Sequence, residues 1–158
     1  MKIITIANRA GQPLVTIKID DCIDENLVIP FISAIKSFSH EVLKGGQDMS
    51  FTTGGIDLYA FTKQYDGGLE LMIFALMDPS MKKQAIRAEA EAALDSFVMA
   101  FGTTAIASWN GDATLFKAFE ANLQQQVHGY YEKLDKGELA TRSDRRGILA
   151  RLFKKRTP

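Results

Sequence analysis

The stretch Leu69-Glu70-Leu71-Met72-Ile73-Phe74-Ala75-Leu76-Met77 decides the fold, because its odd-numbered and its even-numbered positions are both apolar, apart from Glu70. Successive side chains of a β-strand point to opposite faces of a sheet, so such a strand is buried on both faces. Residues 2–7 have the same character. Two doubly buried strands belong side by side in the middle of a sheet whose two faces are covered. The sequence therefore predicts an α+β domain.

Five strands are predicted in all. They cover residues 2–7, 14–19, 48–53, 56–65 and 69–77, and the segments between them carry turn-forming Gly, Pro, Asn and Asp residues. With the first and fifth strands central, the simplest arrangement is an antiparallel sheet in the order 2-1-5-4-3. In the second strand Val15, Ile17 and Ile19 are expected to share one face.

Three helices are predicted to cover the sheet, one on one face and two on the other. The first lies between the second and third strands, the second runs from Asp78-Pro79 to Phe101, and the third begins near Asp112. Residues 102–111 are predicted to be a connector. Each helix has an apolar stripe at helical spacing, formed by Leu27, Phe31, Ala34, Ile35, Phe38 and Val42 in the first, by Ile86, Ala90, Ala93, Leu94, Phe97, Val98 and Phe101 in the second, and by Phe116, Phe119, Leu123, Val127, Tyr130 and Leu134 in the third.

The charge of the chain is unevenly distributed. Residues 1–141 carry a net charge of −6 and residues 142–158 a net charge of +6, although the chain as a whole is neutral. We therefore divide the chain into one domain, residues 1–137, and a hinge with a basic tail, residues 138–158. A chain of 158 residues, 46% of them hydrophobic, is long and apolar enough to form the core of one such domain.

Composition also excludes several kinds of protein. The single cysteine, Cys22, excludes an internal disulfide and a multi-cysteine zinc site, which favours a reducing cytoplasm. The longest uninterrupted apolar run, residues 71–77, is much shorter than a membrane span. We expect a cytoplasmic protein that does not cross a bilayer.

No catalytic set or cofactor site is predicted. His40 and His128 have no partner at metal-ligand or catalytic spacing, and Cys22 lies among acidic residues that would raise the pKa of its thiol. The acidic stretch 20–25 lacks the spacing of a calcium loop. The glycine pairs lack the features of a phosphate loop and are predicted to be turns, and residues 109–112 to be a turn leading into a helix.

The basic tail has an apolar helical face within a positively charged segment. One interpretation is a charged, frayed C-terminus, although a purely solvating tail would not need that face. Two functional interpretations use it: the tail binds an anionic membrane surface, or it docks into a groove on the acidic body or on a partner. Nucleic-acid binding is disfavoured, because the acidic body would repel phosphates. The residues concerned are Arg145, Arg146, Ile148, Leu149, Arg151, Leu152, Phe153, Lys154, Lys155 and Arg156.

The strand order and several segments resemble the longin family, which includes small subunits of clathrin adaptors, sedlin-like trafficking subunits and the longin domain of the signal-recognition-particle receptor. The similarity covers residues 1 to about 136. It rests on Ile4-Thr5-Ile6-Ala7-Asn8-Arg9-Ala10-Gly11, Ile56-Asp57-Leu58-Tyr59-Ala60-Phe61, Asp66-Gly67-Gly68-Leu69, and the spacing from Asp78-Pro79 to Phe97-Val98-Met99-Ala100-Phe101.

The resemblance implies a longin-like (profilin-like) fold and a non-enzymatic protein-binding module of the vesicle-trafficking or small-GTPase-regulating type. Implied partners are a small GTPase, a SNARE segment, a coat subunit or another longin or roadblock-type domain, at the cytosolic face of a membrane. A homo- or heterodimer would form through a sheet edge or the first helix. The implied partner-binding groove lies between the first helix and the third strand and is formed by Val28, Ile32, Ile35, Met49 and Phe51.

Two other hypotheses remain open. A small-molecule sensor or enzyme of a related profilin-like fold would have a polar cavity between sheet and helices, whereas the helix stripes predict a filled apolar core. A subunit of a permanent hetero-oligomer would expose an apolar first-helix face when alone.

Overall fold

A five-stranded antiparallel sheet forms the centre of the protein. The computed structural model describes residues 1–19, 31, 48–53, 56–77, 85–112 and 114–138. The strands are β1 (Ile3–Asn8), β2 (Pro13–Lys18), β3 (Asp48–Thr53), β4 (Ile56–Gln64) and β5 (Glu70–Met77), and they lie in the order β2-β1-β5-β4-β3. The predicted α+β class, strand order and central pair are confirmed.

The two central strands are buried on both faces, as their composition predicts. Ile4 and Ile6 of β1 pack in the cluster that the helices cover, whereas Ile3 and Ala7 pack in a second cluster on the opposite face. The side chains of β5 alternate in the same way. Leu71, Ile73 and Ala75 face the helices, and Met72, Phe74 and Leu76 face the opposite side. The alternation therefore assigns each side chain to its face.

Three helices are described: α1 (Ile86–Phe101), α2 (Thr103–Ala107) and α3 (Phe119–Asp135). The apolar stripes of α1 and α3 pack against one face of the sheet. The two helices are antiparallel, because Phe97 and Phe119 are in contact at one end, with ring centroids 5.2 Å apart, and Glu89 and Lys133 at the other.

The predicted bounds of these helices are wrong at their N-terminal ends. The helix α1 begins at Ile86 rather than at Asp78-Pro79, because Ala85 has a φ of 54° and a left-handed backbone does not continue a right-handed helix. The helix α3 begins at Phe119, since residues 114–118 form turns. The predicted connector contains the short helix α2.

The second face of the sheet carries a smaller apolar cluster. Phe31, the described residue of the predicted first helix, is helical and packs there with Leu58, Ala60 and Phe74. This contact agrees with the prediction that the first helix covers this face. The remainder of that helix, residues 78–84 and the tail lie outside the described residues.

A β-bulge alters the predicted pattern of β2. Ile6 pairs with Val15 and Ala7 with Pro13, so Leu14 is an extra residue opposite β1. Leu14 joins Val15 and Ile17 in the helix-covered core. Ile19, predicted to share the face of Val15 and Ile17, lies just after β2 and is 38% exposed.

Candidate protein-binding surface

The strand β3 is the edge of the sheet that lies farthest from α3. It pairs with β4 from Asp48 opposite Phe61 to Thr53 opposite Ile56. Among the residues that the structure describes, no strand pairs with the other side of β3. Backbone donors and acceptors of a free edge can pair with an added strand, which makes this edge a candidate for protein binding.

One face of β3 carries the described part of the predicted groove. Met49 pairs with Ala60, and position 51 pairs with Leu58. Directly opposed residues share a face, so both positions lie on the side where Phe31 packs. Met49 is half-buried. Val28, Ile32, Ile35 and the side chain of Phe51 lie outside the described part of the structure, so the complete groove stays a prediction.

The opposite face of β3 is polar and exposed. Asp48, Ser50 and Thr52 alternate along it, and all three are exposed. The hydroxyl of Tyr59 donates a hydrogen bond to Asp48 Oδ2 at 3.3 Å, and Arg87 Nη1 lies 3.6 Å from Asp48 Oδ1. Burial and then the neighbouring Asp48 carboxylate raise the pKa of Tyr59, so its hydroxyl stays a donor. Tyr59 of β4 and Arg87 of α1 thus fix the Asp48 end of β3, although both are far from Asp48 in sequence.

A hydrogen bond between side chains holds the other end of β3. Thr52 Oγ1 donates to Asp57 Oδ1 of β4, and Asp57 is only 3% exposed. Thr52 and Asp57 also face each other in the strand register. With both ends of β3 fixed to β4 and α1, its outer edge is positioned before any partner binds, which reduces the entropic cost of binding.

A charged cluster beside this surface joins β4 to α1. Lys63 Nζ lies 2.7 Å from Glu91 Oε1 and 2.8 Å from Asp95 Oδ1, and the hydroxyl of Tyr65 donates to Asp95 Oδ1 at 2.7 Å. Burial would raise the pKa of Asp95, but the hydrogen bonds from Lys63 and Tyr65 outweigh it and lower that pKa. Hydrogen bonds to Asp95 and Glu91 raise the pKa of Lys63. We call this cluster of Lys63, Tyr65, Glu91 and Asp95 the clamp.

The space between the sheet and the helices is almost filled. A cavity of about 40 Å³ lies there, lined mainly by apolar side chains, among them Ile4, Ile73, Ala90 and Leu123. Such a volume holds only a few water molecules. This small apolar cavity is not the polar ligand cavity that the small-molecule hypothesis requires.

Two shallow grooves open at the end of the sheet that carries the β1–β2 and β4–β5 turns. Their volumes are about 360 Å³ and 320 Å³, and Gly67, Leu69 and Ala107 line both. Trp109 borders one of them, but its indole N–H already donates to the carbonyl of Asp112 at 2.8 Å. The chain bends at Gly111, which has a φ of 95°, and the helix predicted to follow residues 109–112 directly begins only at Phe119.

Of the other candidate groups, His128 and the glycine pair 67–68 lie in the described residues. His128 is exposed on α3, with Nε2 3.2 Å from Glu132 Oε1. Gly67 and Gly68 form the predicted turn, with φ values of 77° and 79°. Cys22, His40, the acidic stretch 20–25 and the other two glycine pairs lie outside the described residues. Within the described ranges, no three His, Cys, Asp or Glu residues are grouped to hold a metal ion.

The tail residues Arg145 to Arg156 also lie outside the described residues. None of the helices that are described is both long and apolar enough to cross a membrane.

No family model matches the sequence of this chain, and no curated protein matches it either. The resemblance to the longin family therefore stays a prediction based on architecture and short segments.

Sequence reasoning missed the side chains that position β3. Asp48, Tyr59 and Arg87 come from three elements, and no local spacing relates them. The available signal for the clamp was the spacing of Lys63 and Tyr65 in the predicted strand 56–65, because residues two apart in a strand share a face. In the structure Tyr65 directly follows the end of β4 at Gln64. The acceptors of Lys63 and Tyr65 on α1 could be found only from the fold.

Proposed function

We propose that the protein is a non-enzymatic, longin-like interaction module that acts in membrane trafficking or in the regulation of a small GTPase. It binds a protein partner through the outer edge of β3 and the adjacent face on which Met49 and Phe31 lie. It works in the cytoplasm, and its basic tail either associates with the cytosolic face of a membrane or folds back on the domain.

The observation that carries this proposal is the free edge of β3 in the described structure. Asp48 and Thr52 tie the two ends of the strand to the body, and Met49 contributes an apolar group beside the free backbone. An added strand would gain main-chain hydrogen bonds from the edge and specificity from the side chains that flank it. The other four strands have no comparable combination, because three are internal and β2 lies beside α3.

Affinity capture with matched edge variants tests the proposal. Met49→Lys places a charge on the proposed surface, and Thr16→Lys places the same charge on β2, the opposite edge. Immobilised full-length protein is exposed to cytosol with and without a non-hydrolysable GTP analogue. We expect a protein whose capture depends on the nucleotide to be retained by the wild type and Thr16→Lys and lost by Met49→Lys.

The captured protein is then purified and its affinity for each variant measured. Equal affinity for Met49→Lys and the wild type would rule out the β3 edge as the binding surface. Capture that does not respond to the GTP analogue would exclude a small GTPase in its active form and favour another longin or roadblock-type domain or a coat subunit.

A further inference from the structure

The outward face of α1 has an unusual composition for an exposed helix. Ala88, Ala92, Asp95 and Met99 are spaced by four, three and four residues and so lie on one side of the helix. This is the spacing of a seam between two packed helices. Met99 is 86% exposed, which is the largest exposure of any bulky apolar side chain among the described residues.

An acidic border runs along this face. Glu91 and Asp95 share the single ammonium group of Lys63, so the three groups together carry one negative charge. The side chains of Glu91 and Asp95 are 47% and 46% exposed. A basic helix packed beside Met99 and the alanines would meet these carboxylates without having to displace Lys63.

The tail leaves the domain close to one end of this face. Lys133 Nζ lies 3.4 Å from Glu89 Oε1, and Gln126 Nε2 donates to the carbonyl of Glu89 at 3.1 Å, so the C-terminal half of α3 runs beside the first turns of α1. The described chain ends at Glu138. Residues 139–144 can span up to about 20 Å when fully extended, so the start of the tail lies within that distance of Glu138.

The lengths of the two segments also agree. Ala88 and Met99 are eleven residues apart, as are Arg145 and Arg156, and each interval corresponds to about 16 Å of helix. The tail has four apolar residues on one helical face and a positive charge to match the acidic border.

We propose that residues 145–156 dock as a helix on the outward face of α1. Leu149 and Phe153 cover Met99 and the alanines, while basic side chains lie beside Glu91 and Asp95. Because the same apolar side chains would enter a lipid surface, the docked tail and the membrane-bound tail exclude each other. The inference rests on the proposed role of the tail and is independent of β3.

The exposure of Met99 in the full-length protein tests this docking. Methionine methyl groups are labelled with ¹³C, and Met99→Leu assigns the resonance of Met99. A soluble gadolinium chelate then broadens exposed methyl signals. Met72 and Met77, each 1% exposed, are internal references for the folded core. We expect the broadening of Met99 in the wild type to be less than half of that in Leu149→Ser/Phe153→Ser.

A matched pair of substitutions on the domain completes the experiment. Ala92→Arg places a bulky cation in the docking face, and Ala121→Arg places one at an exposed position of α3. We expect Ala92→Arg to expose Met99 and Ala121→Arg to leave it protected. Equal broadening of Met99 in the wild type and the tail variant would overturn the proposal.

The membrane interpretation has a separate outcome. If Met99 of the wild type is fully exposed and the chain binds vesicles rich in phosphatidylserine through its tail, the tail is a membrane-binding segment and the docking proposal is wrong. Neither outcome depends on the capture experiment with Met49→Lys, so the two proposals can fail separately.

Discussion

Lys63 of β4 donates two hydrogen bonds to Asp95 of α1, at 2.8 Å and 3.0 Å, and the ring of Tyr65 lies 5.5 Å from the same ammonium group. This contact joins the edge half of the sheet to the helix layer. It also leaves Asp95 available on the outward face of α1. The contact between Lys63 and Asp95 therefore stabilises the domain, and the carboxylate of Asp95 lies on the face of α1 where we place the tail.

Replacing Lys63 by Met should destabilise the domain. The substitution keeps most of the aliphatic stem but leaves Glu91 and Asp95 as neighbouring carboxylates with no ammonium between them. Because these groups are half exposed, we expect a loss of only about 1 kcal/mol in the free energy of unfolding. Urea denaturation measures it, with Lys18→Met at an exposed position of β2 as the control. An equal loss in both variants would contradict a role for the clamp.

The contribution of Asp95 should depend on pH. Burial opposes ionisation of this carboxyl group, but the hydrogen bonds from Lys63 and Tyr65 lower its pKa below that of the unfolded chain, which is about 3.9. The ionised form therefore stabilises the native state above that pH, and the stabilisation is lost as the pH falls through the folded pKa.

Asp95→Asn should accordingly be less stable than the wild type at pH 7, and the difference should shrink below about pH 4. Unfolding curves at several pH values measure this, with Asp135→Asn at an exposed position as the control. A difference that stays constant down to pH 3 would show that Asp95 acts only through its shape.

Replacing Phe97 by Ala should be strongly destabilising. Its ring is fully buried and lies within 5.2 Å of the rings of Phe101, Phe116 and Phe119, so it joins α1 to the start of α3. Truncation of a buried phenylalanine typically costs about 3–5 kcal/mol. Ser96→Ala, at the exposed neighbouring position, should change stability by less than about 0.5 kcal/mol. A small loss in Phe97→Ala would indicate that the surrounding rings collapse into the space.

Two glycine-to-alanine substitutions should change the stability of the fold in opposite directions. Gly67 has a φ of 77°, whereas Gly129 lies within α3, and an added Cβ would contact nothing within 4 Å at either position. Gly67→Ala should therefore destabilise the fold by about 1 kcal/mol through backbone strain alone. Gly129→Ala should stabilise it by about 0.5–1 kcal/mol through helix propensity. Thermal unfolding measures both, and a shift of the same sign would refute the backbone explanation.

Much of the fold follows from the alternation of side chains. Residues 69–77 have apolar side chains on both faces of the strand, which is enough to predict that β5 is central. Residues 2–7 show the same pattern, which places β1 beside β5. The apolar residues predicted for the third helix are all buried: Phe119, Leu123, Val127, Tyr130 and Leu134 lie in α3, and Phe116 lies in the turns before it. Burial patterns have a period that is visible in the sequence.

Local backbone geometry has no such signal. Ala85 is an ordinary helix-forming residue, yet its left-handed backbone makes α1 begin at Ile86, eight residues after the predicted start. The bulge at Leu14 likewise depends on how β2 meets β1 rather than on β2 alone. The candidate surface was predictable in part: the strand that carries Met49 was placed at the edge, but the contacts of Asp48 with Tyr59 and Arg87 join residues far apart in the chain.

The pairing of β1 with β5 bears on how the protein is made. Ile3 lies opposite Leu76, so β1 has no central neighbour until β5 has been synthesised, about seventy residues later. Until then β1 and β2 can form only a hairpin, and a two-stranded hairpin is marginally stable in water. The apolar side chains of β1 and β2 therefore stay exposed to aggregation until β5 is available to cover them.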